Sequence, residues 1–177
     1  MRTLSLLRHA KSSWDDPVTR DFDRPLNARG RKAALAMGRF LAAEAPGFDH
    51  VLASPAVRVV ETLALVEEAM GTQLGARLDR RIYMASAVAL LELVQTCEDA
   101  PHLLLIGHNP GLEDLALMLS PADGAPLRLE LEAKFPTAAF ATLSFPVNSL
   151  TDIREGQGHI EWFVRPRDLD PELGPES

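Results

Sequence analysis

Short apolar runs along the chain alternate with longer stretches in which apolar residues recur every three or four positions. Residues 3–7 form an apolar run that stops at Arg8-His9, as expected of a buried strand ending at a polar edge. A loop rich in Asp, Pro and Ser follows. From Asn27, a good N-cap, Ala33, Ala34, Met37, Phe40 and Leu41 recur at helical spacing, and the helix is expected to stop near Pro46-Gly47. Residues 50–53 predict a second strand. Ser54-Pro55 then predicts a helix start, with Ser as cap and Pro in the first turn; the helix runs to Met70 and Gly71 closes it. A weaker strand is expected over 77–82, then a helix capped by Ser86 with Val88, Leu91 and Val94 facing the core. Residues 102–106 give the clearest buried strand. It ends in Gly107-His108-Asn109-Pro110, and a helix over about 112–119 and two strands, near 138–145 and 160–164, follow. This order predicts an α/β fold, a three-layer α/β/α sandwich on a largely parallel sheet of about six strands, made mixed by the last two at an edge.

The composition fits a single domain. A chain of 177 residues, 46% hydrophobic and 24% charged, buries roughly 70% of its unfolded surface. The domain is placed at 1–169, with 170–177 as a surface or frayed tail because three prolines and alternating charges mark the stretch after Val164. A net charge of −7 disfavours nucleic acid and anionic lipid as partners. Cys97 is the one cysteine; it excludes an internal disulfide framework and a Cys-based zinc cluster, and suits a reducing compartment. The opening residues are too weakly apolar for a signal core, and no run approaches a membrane span, so the expectation is a cytoplasmic protein.

The chemistry is expected where strands end. In open α/β sheets ligands gather beyond the carboxyl ends of strands, and three polar clusters fall there: Arg8-His9, Ser54-Pro55 with Arg58, and Gly107-His108-Asn109-Pro110. Helix N-termini favour anions, and guanidinium groups pair with tetrahedral oxyanions, so Arg8 and Arg58, with Arg24 as a third clamp, point to phosphate. Two histidines among arginines suit nucleophilic phosphoryl transfer. A neutral imidazole attacks phosphorus, the arginines stabilise the transferred charge, and the attacking ring needs its other nitrogen to donate, for instance to a backbone carbonyl. No cofactor or metal is required.

Three segments make a family recognisable: Leu7-Arg8-His9-Ala10-Lys11, Ser54-Pro55-Ala56-Val57-Arg58-Val59-Val60-Glu61-Thr62, and Gly107-His108-Asn109-Pro110. Together they resemble the histidine phosphatase superfamily, also called phosphoglycerate mutase-like, and within it the small SixA-like phosphohistidine phosphatases. Arg24-Pro25-Leu26-Asn27-Ala28-Arg29-Gly30 is similar to the SixA-like pattern as well. The resemblance implies His9 as the phosphorylated nucleophile, Arg8 and Arg58 as phosphate ligands, His108 as the second pocket histidine, and Arg24 as an additional ligand. Ala10 departs from the glycine usual at that position. Ser54 is expected to cap a helix and to neighbour the phosphate, Asn109 either to bond the ligand or to shape the turn before Pro110, Lys11 and Ser12 to line either the pocket mouth or a solvated loop, and Trp14 to serve either as a lid aromatic or as cover for the core.

One departure bears on the substrate. Many superfamily members that cleave phosphate esters carry a carboxylic acid after the third strand, where this chain reads Arg80-Arg81-Ile82-Tyr83-Met84-Ala85-Ser86. An alkoxide needs the proton such a group supplies, whereas imidazole, with a conjugate-acid pKa of about 6.5, leaves without it. The loss therefore fits P–N cleavage, with a phosphorylated protein, such as a histidine phosphotransfer domain, or a small phosphorylated compound as substrate. Alternatives remain at this level. Asp21 or Asp23 acting as general acid would make a phosphomonoesterase, a phosphate-binding module would dock a phosphorylated partner without turnover, and a metallohydrolase would use His9, His108 and Asp15 or Asp16 as ligands. His50, His102 and His159 are expected to be surface or satisfied polar groups, and Cys97 a small buried hydrophobe.

Overall fold

In the computed structural model, which describes residues 1–45, 47–97 and 100–174, six strands form one sheet. They are β1 (Arg2–Arg8), β2 (His50–Ala53), β3 (Arg77–Leu78), β4 (His102–Gly107), β5 (Phe140–Phe145) and β6 (His159–Val164), in the spatial order β3-β2-β4-β1-β5-β6. The first four are mutually parallel, while β5 and β6 add antiparallel beyond β1. The expected mixed sandwich is therefore what forms.

Alternation along the central strands explains the three layers. Leu4 and Leu6 of β1 and Leu103 and Leu105 of β4 enter one core, and Leu7, Leu104 and Ile106 enter the other. A strand buried on both faces reads as a continuous apolar run, which is why 102–106 is so legible. On the Leu7 side α1 (Ala28–Glu44) and α2 (Val57–Met70) contribute Met37, Leu41, Val59 and Val66. On the opposite side α3 (Ala87–Gln95), α4 (Gly111–Leu119) and α5 (Pro126–Ala133) contribute Leu90, Leu93, Leu112, Leu115 and Leu131. Each such side chain contributes about 1.5–3 kcal/mol by leaving water. α1 starts at the Asn27 cap, whose side chain accepts from Gly30 N–H, and α2 ends at Gly71, whose φ of 71° suits a glycine C-cap.

Several elements differ from expectation. α2 begins at Val57 after Ala56, so Ser54 is not its cap; the Ser54 hydroxyl sits in the preceding turn, accepting from Ala56 N–H and meeting His108. The strand over 77–82 shortens to β3 because the Asp79 carboxylate accepts the Arg81 N–H and turns 80–82 into a 3-10 turn. In α3 the core face is Leu90, Leu93 and Val94, with Leu91 half-buried and Val88 exposed. Seven of its nine residues are Leu, Val or Ala, spread over every phase, so spacing could not choose a face. Cys97 is buried but lies just beyond that helix. Pro46, in the expected end of the first long helix, is outside the described residues; the helix itself stops at Glu44.

The tail is ordered as far as Gly174. A short α6 (Pro166–Leu169) packs on α1, Arg29 donates to the carbonyls of Glu172 and Gly174, Lys32 pairs with Glu172 and Asp170, and Leu173 is buried in the small cluster around Ala33 and Ala34. Of the expected surface or frayed tail over 170–177, residues 170–174 are a surface segment that is tied down rather than frayed, by Leu173, two Arg29 hydrogen bonds and two Lys32 ion pairs. Residues 175–177 lie outside the described residues.

Candidate active site

The carboxyl ends of β1, β4 and β2 lie side by side, with Arg8 in register with Gly107 and Ala53 with Ile106. Each chain leaves the sheet still bonded to its neighbour: His9 N–H donates to Gly107 O at 3.1 Å and Ser54 N–H to Ile106 O at 3.1 Å. Clusters about fifty residues apart in sequence are thereby joined. The His9 and His108 ring centres are 5.3 Å apart, and Ser54 Oγ is 2.8 Å from His108 Nε2.

His9 Nδ1 is 2.7 Å from the Ala10 carbonyl oxygen. A carbonyl can only accept, so Nδ1 carries the proton and Nε2 keeps its lone pair. Burial is the main force pushing the His9 pKa down to about 3; the Ala10 bond opposes it, and Arg8, His108 and Arg58 add to it. His108 is likewise lowered to about 4, chiefly by burial and then by Arg58. Both rings are therefore neutral near pH 7. The turn behind them is fixed by Thr62, whose hydroxyl accepts from Ala10 N–H and donates to Arg58 O.

The arginines converge as expected, and each has a specific anchor. Arg8 donates to Phe135 O at 3.1 Å, and burial lowers its pKa. Arg58 is buried and donates to both the backbone carbonyl and the carboxylate of Asp21, at 2.7 and 3.0 Å. Arg24 is buried too: it donates to Asp21 Oδ1 and to Ser12 Oγ, with its guanidinium 3.5 Å from the centre of the exposed Trp14 ring. Nε of Arg8 and of Arg58 and Nδ1 of His108 are buried and have no protein hydrogen-bond partner among the described residues. Unmet buried donors cost about 1–3 kcal/mol each, so their clustering here matches a site made for an oxyanion.

The surroundings of Asp21 and Asp23, the expected acid candidates, differ. Partial burial raises the Asp21 carboxyl, but hydrogen bonds from Tyr83, Arg58 and Arg24 and the Arg58 charge outweigh it and hold the pKa at about 2. The group is ionised, with Tyr83 Oη donating to it at 2.5 Å. Asp23 bonds Arg20 instead and is not among the residues lining the cavity. Asn109 shapes its turn, donating to Phe135 O and accepting from Glu113 N–H, while still bordering the cavity. Lys11, Ser12 and Trp14 line the cavity too.

Other contributors escaped the sequence. Tyr83 and Met84 carry no pattern that singles them out, and Thr62 and Gly30 lie inside recognisable segments that assign them no role of their own. Gly30 has a packing reason: a Cβ there would sit 2.1 Å from the Lys11 carbonyl oxygen, so only glycine lets α1 approach the loop after His9. Met84 and Ala138 take left-handed φ values of 51° and 60°, both at or beside the site, where Ala138 N–H is shared by the Arg8 and His9 carbonyls. His102 is buried and bonds Ser5, whereas His50 and His159 are exposed.

Arg8, His9, Arg24, Arg58, His108 and Asn109 border one cavity of about 550 Å³. Residues 4–82 match the model of the histidine phosphatase superfamily, branch 1. An uncharacterized protein of Mycobacterium tuberculosis is 34% identical over 164 residues, 91% of this chain and all of its own. A solved chain from Nakamurella multipartitia, provisionally named phosphohistidine phosphatase SixA, is 30% identical, superposes with a TM-score of 0.80 and covers 93% of this chain and 96% of its own. The chain belongs to the histidine phosphatase superfamily. Within that superfamily it is SixA-like, and it is a hydrolase of the phosphatase type. A mycobacterial glucosyl-3-phosphoglycerate phosphatase, 16% identical with a TM-score of 0.59 over 90% of this chain and 97% of its own, shares the fold alone. Among the described residues no cluster of three or more His, Cys, Asp or Glu side chains could hold a metal ion, and Asp15 and Asp16 are exposed and do not line the cavity of this histidine phosphatase. No helix among them is long and apolar enough to cross a membrane.

Proposed function

We propose that this histidine phosphatase hydrolyses the P–N bond of phosphohistidine on a protein partner through a phospho-His9 intermediate. His9 Nε2 attacks phosphorus while Arg8, Arg58 and Arg24 hold the equatorial oxygens. The phosphohistidine ring enters protonated on its other nitrogen; as the P–N bond breaks, the electron pair stays on the departing nitrogen and neutral imidazole leaves. Water then attacks phospho-His9, releasing phosphate and restoring neutral His9. His108 stays neutral, with Nε2 at Ser54 Oγ and its buried Nδ1 without a protein partner among the described residues, and serves the transferred group as a hydrogen-bonding neighbour without changing charge.

The observation that carries the P–N assignment is the state of the carboxylates. Asp21 is ionised by three donors, and Glu130, the other lining carboxylate, faces Arg165 at 3.4 Å. An ionised Asp21 has no proton to give an alkoxide, and a leaving imidazole needs none. The test is release of phosphate from a phosphohistidine peptide by the wild type and by His9→Ala, with ³²P label followed on the enzyme. We expect turnover and an acid-labile label on the wild type and neither on the variant. Turnover by His9→Ala at the wild-type rate would overturn the mechanism.

A further inference from the structure

The cavity is larger than a phosphoryl group requires, and its charge is lopsided. Eight of the chain's eighteen Lys and Arg residues line it, against two of its twenty-five Asp and Glu. Arg8, Arg24 and Arg58 serve the phosphoryl end. Arg29, Lys134, Arg165 and Arg167 belong to another wall, built from the start of α1, the residues following α5, and the 165–174 segment, and Lys11 to the loop after β1.

That wall is a built surface. Arg29 and Lys32 pin the chain at 170–174 to α1, Leu173 is buried beneath it, and Asp168 holds Arg165 at 3.0 Å. Both lining carboxylates already face arginines. Lys134 and Arg167, by contrast, are exposed, and among the described residues no carboxylate is within ion-pair distance of either. Two cations pointed at the same water-filled cavity repel each other, and an anion between them relieves that repulsion.

We propose that Lys134 and Arg167 form a second anion subsite on that wall of the catalytic cavity, so that favoured substrates carry a carboxylate or phosphate besides the scissile phosphoryl group. The placement of the scissile group rests on the function proposed above; the second subsite does not. The anion comes either from an acidic residue beside the phosphorylated one on a protein or from the second acidic group of a small metabolite. This surface also gives the acidic molecule a local means of attracting an anionic partner.

The experiment is calorimetric binding, at physiological salt, of n-alkylphosphonates and of ω-carboxyalkylphosphonates with two to five methylenes. One spacer length is expected to bind about tenfold tighter than its matched alkylphosphonate, since tenfold corresponds to about 1.4 kcal/mol and a charge-assisted hydrogen bond supplies that much. In Lys134→Gln/Arg167→Gln the gain should vanish while alkylphosphonate affinity stays the same. No gain at any spacer, or a gain that survives the double substitution, overturns the proposal. Turnover of phosphohistidine peptides with Glu or Ala beside the histidine, and of phosphorylated hydroxy acids, then distinguishes the sources: a Glu-dependent drop in KM assigns the anion to a protein, and a preference confined to the hydroxy acids assigns it to a metabolite. If the carboxylate gain holds while no phosphohistidine is turned over, the subsite stands and the P–N reading falls.

Discussion

His9 depends on one local bond and on burial. With Nδ1 tied to the Ala10 carbonyl and the pKa near 3, the nucleophile stays unprotonated across the range in which a free histidine titrates. The pH profile of kcat/KM should therefore stay flat below 6.5 and fall only as pH approaches 4, when His108 and then His9 take protons. A fall centred near 6.5 would contradict it. Asp21 offers a second test at this scale. Its carboxylate occupies donors of Arg58 and Arg24 that a phosphate would use, so Asp21→Asn should tighten inhibition by inorganic phosphate several-fold, about 1 kcal/mol for a competing charge-assisted bond. It should leave P–N turnover within a few-fold; loss of activity by orders of magnitude would instead mark Asp21 as the acid. Arg8 and His9 were legible because they close an apolar run, and Arg58 and Arg24 because the segments around them match the family pattern. The ionisation of Asp21 was not, because it is set by Tyr83 and Arg58, distant in sequence and near only after folding.

Among elements, the strands were the easiest to read and the connections the hardest. β1 and β4 are buried on both faces, so their sequences are continuous apolar runs. α5 was missed because its inward residues are just Leu131 and the half-buried Leu127, while Leu129 points to solvent. Ser54 illustrates a different failure. Serine followed by proline suits a helix cap, but a buried histidine 54 positions later claimed the hydroxyl. The approach of α1 to the catalytic loop gives an element-scale prediction. Gly30→Ala places a methyl 2.1 Å from the Lys11 carbonyl, so the loop after His9 must move. We expect a loss of about 1–3 kcal/mol in stability and a fall in kcat of about tenfold or more from a displaced nucleophile. An unfolding curve and kcat matching the wild type would show that the helix yields instead.

At the scale of the molecule, an acidic chain encloses a basic cavity, and its buried histidines make it acid-sensitive. His9, His108 and His102 all have pKa values lowered by burial. In the unfolded chain they take up protons near 6.5, so the unfolded state binds more protons between there and about 3–4, and stability declines as pH falls through that window. Asp21, held at about 2, adds a loss of the same sign between about 3.8 and 2. The melting temperature should therefore drop on going from pH 7 to 4, and less so in His9→Gln/His108→Gln; an unchanged melting temperature over that range would refute the buried neutral rings. The central claim is that the site cleaves P–N bonds because it holds no protonated carboxylate. Its most direct test is kcat/KM on one peptide bearing either phosphohistidine or phosphoserine at the same position. A missing general acid costs the ester about 10²–10⁴-fold, so phosphohistidine should be preferred by at least about a hundredfold; equal rates, or faster release from phosphoserine, would contradict the account.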